Sequence, residues 1–248
     1  MAHRYYSIAT AAVGIPMIEN VTENFFESRE LASIAAAELI VGSLQARLNQ
    51  SDAASIMVTG GSSPARCYAE LAATDLDWSR VHILLSDERW VAACDEDSNE
   101  KLLRDTLLVG AANAAQLMPV YSDATSAEAR CAELDDVLPT LPMPMVCTLL
   151  GMGTDGHIAS LFPDAANLDA GLDVDNPQWC IPVSTTASEH LRVSMTLAAL
   201  LKSAQVVLLF FGEAKRDVYE QAKSSVADVP VAKLLSQMHV PVQVFWAP

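Results

Sequence analysis

The sequence is poor in positive charge. Only 15 of its 248 residues are Lys or Arg, against 31 Asp and Glu, for a net charge of −16. So acidic a chain repels nucleic acid and anionic membranes at long range, which argues against both as partners. It also makes each cation informative, because an anionic ligand must be held by a few basic residues against the field of the whole chain. Cysteine is scarce too. Cys67, Cys94, Cys131, Cys147 and Cys180 form no CxxC pair, their number is odd, and no His stands at zinc-ligand spacing. These are features of reduced, mostly buried thiols in a cytoplasmic protein rather than of a disulfide framework or a zinc site. No run reads as the roughly 20 apolar residues that a membrane-spanning helix needs. Met1 to Met17 lacks the Leu-rich centre of a signal peptide and contains Gly14 and Pro16. Residues 1–16 therefore read as an N-terminal extension and 17–248 as a single domain. Repeats, low-complexity tracts and charge blocks are also missing.

What the chain has in quantity is apolar patterning, at 51% of residues, enough for a large core. Strand-like runs cover Met17–Val21, Ala54–Thr59, Val81–Leu85, Met145–Leu150, Trp179–Val183, Val206–Phe211 and Val242–Trp246. Between them, helical spacing covers Phe26–Asn49, the stretch opened by Pro64, Asn99–Leu108, Ser126–Leu138, Thr196–Lys202 and Glu213–Lys223. Most central strands are apolar on both faces. The pattern calls for a three-layer α/β/α fold, a mostly parallel, Rossmann-like sheet with helices on both faces. Ligands in such sheets sit at the carboxyl ends of strands. The polar clusters fall there: Gly60–Ser63, Asp87–Arg89, Gly151–His157 and Gly212–Lys215.

Thr59-Gly60-Gly61-Ser62-Ser63-Pro64 lies between a strand and a helix. Its glycines allow close backbone approach, and the helix start offers free N–H groups to a phosphate; a plain connector with a Ser cap is the alternative. Ser86-Asp87-Glu88-Arg89 follows an apolar strand. Arg89 suits a phosphate or carboxylate, with the acids orienting it, or the segment is a solvated loop with a local ion pair. The segment Leu150 to Pro163 contains GxGxxG at Gly151, Gly153 and Gly156, with Asp173 further on. A dinucleotide loop should open a full helix leading to another strand, whereas here Pro163 soon intervenes. What remains is Asp155 two residues before His157 on a glycine turn. That places a carboxylate beside an imidazole able to accept a proton near neutrality. His3, His82, His190 and His239 lack such a setting and read as structural. Arg192 and Lys215 are among the few cations of the C-terminal half, and Lys215 opens a helix, where a cation is unfavourable unless an anion sits there. Ser160 and Cys67 show no base partner in the sequence.

Taken together, TGGSSP (59–64), SDERWV (86–91) followed by Ser98-Asn99, LGMGTDGHIASLFP (150–163), RVSMT (192–196) and GEAKR (212–216) resemble the 6-phosphogluconolactonase family. The resemblance covers about residues 17 to 235. Glucosamine-6-phosphate deaminases share the DGH core but would carry DEY at 87–89 and Asn-Glu-Pro after DGH, so the resemblance favours the lactonase over a deaminase or isomerase. A non-catalytic sugar-phosphate sensor would bring a DNA-binding module for which the chain has no room. Membership implies an enzyme with a sugar-phosphate lactone as its small-molecule partner, and no metal or organic cofactor; the expected state, which no motif in the sequence fixes, is a monomer. It implies that His157 is the general base, oriented by Asp155. It also implies that Gly60, Gly61, Ser62, Ser63, Asp87, Arg89, Gly153, Arg192 and Lys215 surround the phosphorylated sugar. The chain departs from the family at its end, Phe245-Trp246-Ala247-Pro248, where the family usually carries an Asp.

Overall fold

The computed structural model describes residues 20–248. The expected extension, His3 and residues 17–19 of the strand expected over Met17–Val21 lie outside the described residues, within which the first strand runs Val21–Phe25, past the expected end. The strands are β1 (Val21–Phe25), β2 (Ala54–Val58), β3 (Val81–Leu85), β4 (Asp87–Arg89), β5 (Gln116–Met118), β6 (Thr148–Leu150), β7 (Cys180–Val183), β8 (Arg192–Met195), β9 (Val206–Phe211) and β10 (Val242–Ala247). The helices are α1 (Arg29–Leu48), α2 (Ala65–Ala72), α3 (Asn99–Thr106), α4 (Ala127–Val137), α5 (Leu168–Leu172), α6 (Leu197–Leu200), α7 (Glu213–Lys223) and α8 (Pro230–Ser236).

Seven strands form one sheet in the order β1-β10-β9-β6-β2-β3-β5, and every neighbouring pair in it is parallel. Parallel pairing requires crossovers, and crossovers are right-handed. From β1 through β2 and β3 to β5 the chain steps toward one edge, so α1, α2 and α3 share a face. From β6 through β9 to β10 it steps the other way, which puts α7 and α8 on the opposite face. α1 packs on α2, α2 on α3, and α7 on α8, as that division requires. Burial on both sides explains why β2 is buried throughout and β9 nearly so.

A second, three-stranded antiparallel sheet, β4-β8-β7, closes over the end of the first. The sequence pattern assigns no strand to Asp87–Arg89 or to Arg192–Met195. They are strands because each pairs with a distant partner, Asp87 with Ser194 and Arg89 with Arg192. Such short polar segments carry no period of their own. β5 and α5, with three and five residues, are likewise too short to show a period, and α8, with seven residues, is missed although Pro230 opens it and Val231, Leu234 and Leu235 stand at helical spacing. The helix expected over Thr196–Lys202 is a single turn, α6, capped by the Thr196 side chain. One expectation is corrected outright. α1 is long and apolar enough by composition to cross a membrane. Here one face of it packs on protein: Ala32, Ala36, Ala37, Ile40 and Leu44 are buried in the core that includes β9 and β10.

Candidate active site

The step direction of the chain reverses between β2 and β6, which are neighbours. The loops leaving their carboxyl ends therefore diverge to opposite faces and leave a crevice, the usual ligand position in an open parallel sheet. A cleft of about 240 Å³ lies there. Thr59–Ser63 form one wall, Gly151–Gly153 and His157 another, and Asp87, Arg89 and Arg192 come from the small sheet.

His157 is held from one side. Its Nδ1 lies 2.5 Å from Asp155 Oδ1, and the same carboxylate oxygen accepts the His157 backbone N–H at 3.2 Å. A carboxylate at Nδ1 puts the ring proton there and leaves Nε2 as the basic nitrogen. The loop that makes this possible depends on two glycines. Gly156 has φ +78, a left-handed conformation, and its would-be Cβ would run into Val229. At Gly153 a Cβ would come within 2.2 Å of His157 Nδ1 and 2.4 Å of Asp155 Oδ1, so the pair rests on bare backbone. The Gly153 N–H donates to the His157 carbonyl (3.0 Å) and the Val231 N–H to the Gly156 carbonyl (2.9 Å), which ties the loop to α8. Phe162 packs under the imidazole with ring centroids 4.2 Å apart.

Opposite this pair stand two guanidinium groups. Arg89 and Arg192 face each other across β4 and β8, a like-charge cross-strand pair that is unfavourable without an anion. The Nε of each is buried and has no partner among the described residues. Arg192 lies 5.2 Å from the Phe162 ring centroid and donates to Ser160 Oγ and Ser188 Oγ, each at 3.2 Å. Burial works against its charge, Asp87 supports it, and Arg89 opposes it. Arg89 donates to the backbone carbonyl of Asp97. The sequence reading had the neighbouring acids orienting Arg89; they do other work. Glu88 is buried and accepts the backbone N–H of Arg89 (2.8 Å), Asn99 (2.7 Å) and Glu100 (2.7 Å) and the Ser98 hydroxyl (3.1 Å), so it fastens the start of α3. Asp87 accepts the hydroxyls of Ser160 (2.6 Å) and Ser86 (2.9 Å) and lies 3.7 Å from Arg192.

Ser160 thus has a carboxylate partner that the sequence did not reveal. It is wholly buried and already donates to that partner, which makes it a support for Asp87 and Arg192 rather than a nucleophile. Burial pushes the Cys67 thiol up to about 12, so it too is kept protonated. On the far side of the cleft Lys215 is held below the usual lysine range, chiefly by burial and then by Arg29, with Asp155 partly offsetting them.

The cleft wall carries ten of the residues expected at the site: Gly60, Gly61, Ser62, Ser63, Asp87, Arg89, Gly153, His157, Arg192 and Lys215. The eleventh, Asp155, stands behind His157. His190 bonds Asp97 (3.0 Å) at the rim. The residues given no role beforehand are Asn99, which entered only as part of the Ser98-Asn99 pair in the family resemblance and at the start of a helix, and Ser160 and Ser188, whose partners are distant in sequence.

Residues 27–246 match the model of the family described as glucosamine-6-phosphate isomerases/6-phosphogluconolactonase. A 6-phosphogluconolactonase from Caulobacter vibrioides is 39% identical over 226 residues, covering 90% of this chain and 95% of that protein. One from Mesorhizobium japonicum is 35% identical over 225 residues, covering 91% of this chain and 94% of that protein. The crystal structure of a 6-phosphogluconolactonase from Shewanella baltica superposes with a TM-score of 0.87 at 34% identity, over 94% of this chain and 100% of that one. The parallel sheet, the switch-point cleft and these similarities agree, and the chain belongs to the glucosamine-6-phosphate isomerase/6-phosphogluconolactonase family.

Proposed function

We propose that this protein hydrolyses 6-phospho-D-glucono-1,5-lactone to 6-phospho-D-gluconate, the hydrolytic step of the oxidative pentose phosphate pathway. The observation that carries the reading is the His157–Asp155 pair at the wall of a cleft that also holds three cations, Arg89, Arg192 and Lys215. The cations and the Gly60–Ser63 loop hold the phosphorylated sugar and bring C1 to His157. Nε2 takes a proton from water as its oxygen attacks C1. The tetrahedral oxyanion forms opposite Arg89 or the loop N–H groups. His157 then gives its proton to the ring oxygen as the C1–O bond breaks, leaving the carboxylic acid, which loses its remaining proton to solvent to give 6-phosphogluconate. Asp155 holds the imidazole and supports its charged form. Arg89 in place of the tyrosine expected of a deaminase, and Ser160 and Phe162 supporting Arg192, favour the lactone over an amino sugar.

The test is the disappearance of lactone generated in situ, against its uncatalysed rate, with His157→Ala in parallel. Acceleration by wild type and its loss in the variant are expected; no acceleration by folded protein contradicts the reading. Free thiols at all five cysteines are in keeping with a cytoplasmic site of action. The single domain over 17–248 and the monomeric state are part of the same proposal, checked by limited proteolysis and sedimentation.

A further inference from the structure

We propose that Asn99 determines specificity by accepting a hydrogen bond from a hydroxyl of the sugar ring. The inference rests on the lactonase reading and assigns a role to a residue given none above. Asn99 is the first residue of α3 and is held at its backbone: Glu88 takes its N–H at 2.7 Å, and Ser98 caps the helix. The side chain is 2% exposed. Its Nδ2 donates to the Asp87 carbonyl at 2.9 Å, which settles which way the amide lies. Oδ1 is thereby turned to Gly60, where a Cβ would stand 1.9 Å from it. Only a glycine leaves room for this amide in the cleft wall, so Gly60 serves Asn99 as well as the ligand.

Among the described residues nothing donates to Oδ1. Asn99 lines the cleft, so that oxygen is an unengaged acceptor at the edge of a site made mostly of donors. Guanidinium, ammonium and backbone N–H groups suit a phosphate, but a sugar lactone also presents hydroxyl donors, which need acceptors. Of the carboxylates beside the cleft, Asp87 is engaged with Ser86 and Ser160, and Asp155 stands behind His157, bonded to it through Oδ1. An acceptor placed for one hydroxyl rejects a ligand lacking it, because the oxygen is then left buried and unpaired.

The experiment compares the parent lactone with analogues deoxygenated singly at each ring hydroxyl, in wild type and in Asn99→Ala. One deoxygenation should lower the wild-type kcat/KM by about tenfold to a hundredfold. In Asn99→Ala the same deoxygenation should cost less than about threefold, while the other analogues keep their wild-type ratios. Penalties that simply multiply for every analogue overturn the proposal. So does a wild type that tolerates every deoxygenation within about threefold, a result that needs no variant and stands if Asn99→Ala does not fold; Asn99→Ser then repeats the comparison. A wild type inactive on the parent lactone overturns the functional reading itself, and the inference falls with it.

Discussion

Asp155 Oδ1 grips His157 twice, at the ring Nδ1 (2.5 Å) and at the backbone N–H (3.2 Å). One carboxylate therefore sets the tautomer of the imidazole and the turn that carries it. Asp155→Asn can present an N–H to the ring in place of an acceptor and so favour the wrong tautomer. kcat should fall by at least about tenfold, with KM changed far less. Steady-state kinetics on the parent lactone measure this, and an unchanged kcat would remove Asp155 from the mechanism.

Gly153 is the second support of the pair. In Gly153→Ala the new methyl occupies the place of His157 Nδ1, 2.2 Å from the Cβ position, and the imidazole must move. A displacement on the order of 1 Å costs roughly 10²-fold in kcat. Gly42→Ala is the control. It lies within α1 with nothing within 4 Å, and should raise stability by about 0.5–1 kcal/mol without touching turnover. Equal activity in the two variants would contradict the geometry.

Glu88 and Asp87 look alike in sequence and differ in use. Burial raises the Glu88 carboxyl above its ordinary range, and the N–H groups of Asn99, Glu100 and Arg89 partly counter this. In Glu88→Gln an NH2 must face one of those donors. The expected cost is about 1–3 kcal/mol of stability, read by thermal or denaturant unfolding, with activity lost only as the fold is lost. A variant as stable as wild type but inactive would place Glu88 in the chemistry instead.

Lys215 supplies the pH dependence. Its ammonium is held below the usual lysine range by burial and by Arg29. A lowered lysine value in the folded state means that the unfolded chain holds that proton more firmly. Charged Lys215 thus costs stability at neutral pH, and the cost shrinks as pH rises from the folded value toward the ordinary lysine value of the unfolded chain, above which it is gone. Lys215→Met should raise the Tm of the ligand-free protein at neutral pH, by an amount that shrinks in alkali. The same change should weaken 6-phosphogluconate binding by about tenfold. Lys215→Arg, charged throughout, should keep binding level where the wild type weakens. Calorimetry follows both, and a destabilised Lys215→Met would contradict the assignment.

Much of this was legible in the chain. β3, β9 and α7 fall where the apolar period puts them, since each is long enough to show one. The cleft residues were legible because glycines and scarce cations collect at strand ends in an acidic chain. Pairings were not. That Arg89 meets Arg192, that Ser160 meets Asp87 73 positions away, and that Val229, just before α8, and Val231, within it, brace the His157 loop are consequences of tertiary register. No local pattern encodes them. Asn99 was hidden for a related reason: its value lies in one amide oxygen facing a glycine 39 positions earlier.

The central claim is that His157 Nε2 is the base that activates water. His157→Gln keeps the size and polarity of the side chain and removes the base. Its kcat for the phosphorylated lactone should fall by about 10²–10⁴-fold, while 6-phosphogluconate still binds with near wild-type affinity. Full activity in His157→Gln would contradict the account.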